Sequence, residues 1–341
     1  MSRIATADTR VTTTPLRQTL RQFCLQAVIT GVCSVAIGSL CLAQSPPSTD
    51  SLAPTPLVEF EVAAHGEILV VPVQTLETFQ QLLVDTGSKY CVLDRQFWPY
   101  LGAGNRYVVD AVGGPTEVVF CHSPTFLLGE LDVSHKQPVL LLDMAPVRTI
   151  SRQPIAGILG MTAMRSRVVQ IDFDAGRFRM FDREPEIKDR TTFPLSWQHG
   201  LPRLLLTCGT AAPEQFDIDT GHGGELSLTA ELYDSLVAAG QIEHVGEVYV
   251  QTSSGEIREF EGRMSTLKLG DFEHKDVIVR RSTSCLLGLD YLARYELTLN
   301  FPQNRVSLKP SRAFNRPSAK RRFGQNATGP AAPSSEDTAG R

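Results

Sequence analysis

Two segments of this chain repeat one another in kind and in order, and that repeat restricts the fold more than any other feature. Leu83-Val84-Asp85-Thr86-Gly87-Ser88 and Asp217-Ile218-Asp219-Thr220-Gly221-His222 each place Asp-Thr-Gly at the end of an apolar, β-branched run. Each is followed by an apolar run that closes on glycine, Ala156-Gly157-Ile158-Leu159-Gly160 and Ser284-Cys285-Leu286-Leu287-Gly288. The aspartates lie 134 residues apart and the closing glycines 128 apart. Agreement within six residues, with one element order in both halves, predicts a duplicated half-domain that sets Asp85 and Asp219 face to face.

The intervening pattern is that of strands. Residues 57–63 and 67–73 read as a hairpin around His65-Gly66, and 79–84 as a strand running into the first Asp-Thr-Gly. Asp94 reads as the N-cap of a short helix ending near Gly102. Strands are expected at 107–112, 116–121 and 125–128, with Gly113-Gly114 at a hairpin tip, and a closing hairpin joins 167–173 to 177–181. The second half follows suit. Strands 204–207 and 215–218 lead to the second Asp-Thr-Gly, and 225–228 leads to a helix capped by Thr229 and ending at Gly240. Strands 247–251 and 257–262 flank Ser253-Ser254-Gly255, and 295–301 with 305–308 closes the half. The prediction is an all-β fold of two similar lobes, 57–186 and 187–310, with few short helices.

The flanks have other compositions. Arg3, Arg10, Arg17 and Arg21 precede an almost uncharged run from Phe23 to Ala43, and Cys41-Leu42-Ala43 resembles a small-residue cleavage site. Residues 1–43 read as a signal peptide or as an uncleaved membrane anchor, since about 20 apolar residues also suffice to span a bilayer. Either reading places the body outside the cytoplasm: periplasmic, in the cell envelope, or extracellular. Residues 44–56 are a Pro/Ser/Thr-rich linker, and 311–341 read as a disordered polar tail. The net charge is −4, and the one basic cluster, Lys320-Arg321-Arg322, sits in that tail as a solvated run, so no nucleic-acid partner is expected. Cys91, Cys121, Cys208 and Cys285 remain beyond the leader. They read as disulfide partners or as buried small hydrophobes, and their spacing matches no zinc site.

The chemistry follows from pairing the aspartates. Two carboxyls about 3 Å apart in a poorly hydrated site cannot both ionise, so one keeps its proton. The ionised member takes a proton from a water held between them, and the protonated member donates to a peptide carbonyl oxygen. No metal or cofactor is needed. Gly87 and Gly221 remove a Cβ where the chain turns sharply and two backbones approach. The hydroxyls of Thr86 and Thr220 can bond across the symmetry axis, and that of Ser88 can hold the outer oxygen of Asp85. The hairpin tips Gly113, Gly114, Ser254 and Gly255 are candidates to close over a polypeptide substrate.

The Asp-Thr-Gly-Ser loop, the later apolar-apolar-Gly pattern and their duplication resemble aspartic proteases of the retropepsin and pepsin type, over most of residues 57–310. The resemblance implies two retropepsin-like lobes with a central cleft. It implies an aspartic-type endopeptidase with Asp85 and Asp219 as its catalytic dyad and Thr86 and Thr220 as braces. Retropepsin-like enzymes usually dimerise one half; here a monomer carries both. Several positions depart from the family. His222 stands where Ser, Thr or Ala is usual, and its ring faces either the dyad or solvent. Asp217, where the first half has Leu83, reads as a third carboxylate near the dyad or as a surface-turned or capping residue. Neither hairpin tip carries a clear flap sequence, and Tyr107 takes no assigned role. These departures leave open a catalytically inactive peptide-binding or envelope-interaction module on the same fold. An aspartate phosphotransferase loop is set aside, because it needs Asp-x-Asp-x-Thr and Gly221 occupies the last position.

Overall fold

The computed structural model describes residues 54–318 apart from 65, 76–77, 102–103, 112–113, 135–137 and 253–254. The leader, most of the linker, Lys320-Arg321-Arg322 and the rest of the tail lie outside the described residues, as do His65, Gly102, Gly113, Ser253 and Ser254. No helix among the described residues is long and apolar enough to cross a membrane.

Among the described residues the fold is all-β, in three sheets. A nine-stranded sheet is built from residues of the first half and an eight-stranded sheet from residues of the second. The third sheet, of six strands, takes three from each half in the order Val58–Glu61, Arg177–Phe181, Val168–Asp172, Tyr295–Asn300, Arg305–Pro310, Thr191–Pro194. At its centre Val168–Asp172 runs antiparallel to Tyr295–Asn300, and Gln170 stands opposite Thr298. These two residues are 128 apart, the same interval as the closing glycines, so they are equivalents in the repeat that meet each other. An approximate two-fold axis therefore passes between them, and Gln170 Nε2 donates to Thr298 Oγ1 across it at 3.3 Å.

Period-two burial explains the strands. In Leu201–Cys208, Pro202, Leu204, Leu206 and Cys208 are buried while their neighbours are not. Leu82 and Val84 join the main core, whereas Leu83, on the other face, joins a small cluster with Val92, Met144 and Ile155 against Val147 of the helix Ala145–Ser151. That helix has no counterpart in the expected element order. Its local signal is Asp143, whose carboxylate accepts Ala145 N–H at 2.8 Å ahead of a proline in the first turn.

Several expectations need correction. Val58–Glu61 and Val70–Gln74 do not pair as a hairpin. The first pairs with Arg177–Phe181 and the second with Phe79–Val84, in different sheets. Asp94 caps no α-helix. Its carboxylate accepts Gln96 N–H in a tight turn, and Pro99–Leu101 follows as a single 3₁₀ turn. The second-half strands are longer than the hydropathy alternation indicates, Ile242–Thr252 and Gly255–Leu269, and Phe272–Ser282 adds a third. Residues 311–318 of the expected disordered tail are held in place. Ser311 N–H donates to Arg294 O, and Phe314 packs against Phe272, His274 and Tyr295.

Candidate active site

The two Asp-Thr-Gly loops leave equivalent strands at equivalent points. Phe79–Val84 runs parallel to Ile155–Leu159, and Asp85 N–H donates to Leu159 O at 3.1 Å. Glu214–Ile218 runs parallel to Leu286–Leu287, and Asp219 N–H donates to Leu287 O at 3.0 Å. The apolar-apolar-Gly pattern is thus the neighbouring strand that ends beside the aspartate. Its glycine is required for space. A Cβ on Gly160 would lie 2.2 Å from Tyr90 O, and one on Gly288 2.2 Å from Gly224 O. The next backbone N–H in each half then clamps the loop, Met161 to Ser88 O and Leu289 to His222 O, both at 2.8 Å.

Thr86 and Thr220, both fully buried, lock the loops together through four bonds. Each N–H donates to the other's hydroxyl, Thr86 N to Thr220 Oγ1 at 3.0 Å and Thr220 N to Thr86 Oγ1 at 3.1 Å. Each hydroxyl passes its own proton to the opposite strand, Thr86 to Ile218 O at 2.6 Å and Thr220 to Val84 O at 2.9 Å. Both N–H groups and both hydroxyls of this buried knot are therefore satisfied.

The knot brings the carboxyls together. A Cβ on Gly87 would lie 2.4 Å from Asp219 Cγ, and a Cβ on Gly221 2.5 Å from Asp85 Cγ. Each glycine thus makes room for the opposite carboxyl rather than for the opposite backbone. Gly87 N–H donates to Asp85 Oδ1 at 2.8 Å, while Gly221 and His222 N–H donate to Asp219 Oδ1 at 2.9 Å each. The two carboxyls therefore face each other across the paired loops, near enough for the charge of Asp85 to bear on Asp219. Burial pushes the Asp85 carboxyl above the usual carboxylate range, against the backbone N–H groups that favour its charge. Burial, together with the adjacent Asp85 charge, pushes Asp219 well above that range. The pair therefore holds one proton at pH values where an isolated carboxylate has lost it.

The flanking residues differ from expectation. The Ser88 hydroxyl donates to Tyr90 O at 2.9 Å rather than to the Asp85 carboxyl, and its backbone N–H donates to the Asp85 main-chain carbonyl at 3.4 Å. His222 faces neither the dyad nor open solvent. Its ring lies against Gly224 and Gly288, with Nε2 3.2 Å from Ser227 Oγ. Burial, with the Arg280 charge nearby, lowers its pKa to about 4, so it is neutral above that pH. Asp217 forms an ion pair with Arg203, its cross-strand partner, at 2.9 Å, and is neither the third member of a carboxylate cluster nor a cap. Neither Ser227 nor Arg203 was legible as a partner, because both lie on separate strands whose register sets the contact.

Of the hairpin-tip candidates, Gly114 opens the strand Gly114–Cys121 opposite Ala111, and Gly255 opens Gly255–Leu269 opposite Thr252. Gly113 and Ser254 lie outside the described residues. At the base of the first hairpin, Tyr107 packs edge-on to Phe120 at 5.0 Å, and Phe120 to Tyr90 at 5.5 Å. All four described cysteines are buried free thiols. Burial, with Cys285 and Glu214 nearby, pushes the Cys208 thiol up to about 12. No protein-family model matches the sequence, and comparison with curated proteins gives no match.

Proposed function

We propose that this protein is an aspartic-type endopeptidase that hydrolyses peptide bonds with a water activated between Asp85 and Asp219. The observation that carries the reading is the reciprocal packing of each carboxyl against the glycine of the opposite loop. A carboxyl pair sharing one proton holds a base and an acid on one site. The ionised carboxylate removes a proton from water as the water oxygen attacks the peptide carbonyl carbon. The protonated carboxyl supplies its proton to the carbonyl oxygen, giving a neutral gem-diol. As that intermediate collapses, one diol hydroxyl returns its proton to the carboxylate that had protonated the carbonyl oxygen, the C–N bond breaks, and the proton taken from water passes to the leaving amine, which restores the shared-proton pair. The neutral imidazole of His222 and the pairing of Asp217 with Arg203 support catalysis over an inactive binding module on the same fold.

The polypeptide substrate, the export of the chain and its action as a monomer belong to the same proposal. The test is cleavage of a peptide mixture at acidic pH by the parent, Asp85→Asn and Asp219→Asn. Each variant is expected to lose about 10²–10⁴-fold in rate. Either variant cleaving as fast as the parent overturns the mechanism, and peptide binding without turnover by the parent establishes the binding module instead.

A further inference from the structure

Just past the first Asp-Thr-Gly-Ser loop stands a cation that no carboxylate among the described residues neutralises. Lys89 follows Ser88, and its backbone is fixed, since Thr162 N–H donates to Lys89 O at 3.1 Å. Its side chain is held as well. The stem runs along the turn at His199-Gly200, where a Cβ on Gly200 would lie 3.4 Å from Lys89 Cγ and 3.5 Å from Cε. That turn belongs to the second half. It is the copy of His65-Gly66, again 134 residues apart, with a φ of 88° at Gly200 and 81° at Gly66. The ammonium group lies 4.9 Å from the centre of the Tyr90 ring. Lys89 is nonetheless exposed, and it makes no ion pair among the described residues.

Covalent geometry bounds how far this cation stands from the dyad. Gly87, whose Cβ position abuts the Asp219 carboxyl, is two residues away. Successive Cα atoms are about 3.8 Å apart, so Lys89 Cα lies within roughly 11 Å of Asp219 Cγ. An extended peptide advances about 3.3 Å per residue, which puts a side chain two or three residues from a scissile bond at the dyad in the same range. The second half offers nothing similar. Its equivalent of Lys89 is Gly223, where a Cβ would meet no atom within 4 Å. One loop of the pair thus carries a held ammonium group and the other carries open space. A lysine already ordered against a turn and a ring gives up little freedom on meeting a carboxylate, and that loss is what cancels most exposed ion pairs.

From this geometry we infer that Lys89 forms a subsite that selects an aspartate or glutamate side chain of the bound peptide. The inference deepens the peptidase reading and rests on it for the position of the peptide. Matched peptides carrying glutamate or glutamine at one position at a time test it at about pH 5, above the ordinary glutamate pKa of about 4.3. Cleavage and binding, the latter by fluorescence anisotropy, are measured on the parent, Lys89→Met and Lys89→Glu. At one position glutamate is expected to win by about 3–10-fold in both. Lys89→Met keeps a stem against the Gly200 turn and should lower that ratio toward one, whereas Lys89→Glu should invert it. Lost packing does not invert a charge preference. Equal use of glutamate and glutamine at every position by the parent, or an unchanged ratio in either variant, overturns the subsite. Cleavage without glutamate preference leaves the peptidase reading standing and removes the subsite. Glutamate-selective binding without cleavage, inverted in Lys89→Glu, does the reverse. Absence of both binding and cleavage overturns the two together.

Discussion

At the scale of single residues, the candidate site is held by hydroxyls whose removal strands other atoms. Thr86→Val keeps the shape of the side chain but leaves Ile218 O without a donor and Thr220 N–H without an acceptor, both buried. At about 1–3 kcal/mol for each stranded group, the expected loss is roughly 2–6 kcal/mol, read from urea unfolding of the two proteins. The residues of this knot were legible because Asp-Thr-Gly fixes both residue type and spacing, and two copies imply a partner for every group. Ser88 and His222 were not. A serine hydroxyl rotates to whichever acceptor the fold presents, here Tyr90 O, which precedes the strand Val92–Asp94. The direction of the His222 ring was set by Gly224, Ser227 and Gly288, and the last of these is 66 residues away.

At the scale of elements, Glu225 and Arg294 join the second Asp-Thr-Gly region to the end of the described chain. Glu225 accepts Arg294 Nη2 at 2.6 Å and Ile278 N–H at 2.7 Å. Arg294 also donates to Phe314 O and Arg316 O, which fastens the segment following Arg305–Pro310. Glu225→Gln leaves that guanidinium buried without its counter-charge. The expected cost is about 3–5 kcal/mol, seen as a lowered Tm together with faster amide exchange at 311–318. Neither residue could be assigned from sequence, since a buried ion pair and a solvated one share the same letters. Phe272–Ser282 was hidden for a related reason. Its charged stretch reads as surface, yet His274 is buried against Tyr291, Tyr295 and Phe314, and Asp276 interrupts the alternation with a φ of 57°. The strands before each Asp-Thr-Gly were legible because both of their faces are apolar or alternate cleanly.

At the scale of the whole molecule, buried groups of opposite acid–base character bend stability in opposite directions with pH. His222 and His274 both titrate at about 4 in the folded protein, chiefly through burial, against about 6.5 for an exposed imidazole. Between those values the unfolded chain binds more protons, so stability falls as pH drops from about 6.5 to 4, by up to about 3 kcal/mol for each histidine, and levels off below. The Asp85/Asp219 pair has raised folded pKa values. Its contribution is complete in acid and is lost as pH rises through them. Urea midpoints measured across this range are expected to pass through a maximum. His274→Phe should flatten the acid side and Asp219→Asn the alkaline side. The meeting of Gln170 with Thr298 at the centre of the six-stranded sheet carries a separate consequence. In an assembly of two identical subunits every residue at the axis must face its own copy, and every substitution is made twice. Joining both copies in one polypeptide lifts that restriction, so an amide can meet a hydroxyl on the axis. The two Asp-Thr-Gly loops are likewise free to differ, Ser88 following one and His222 the other.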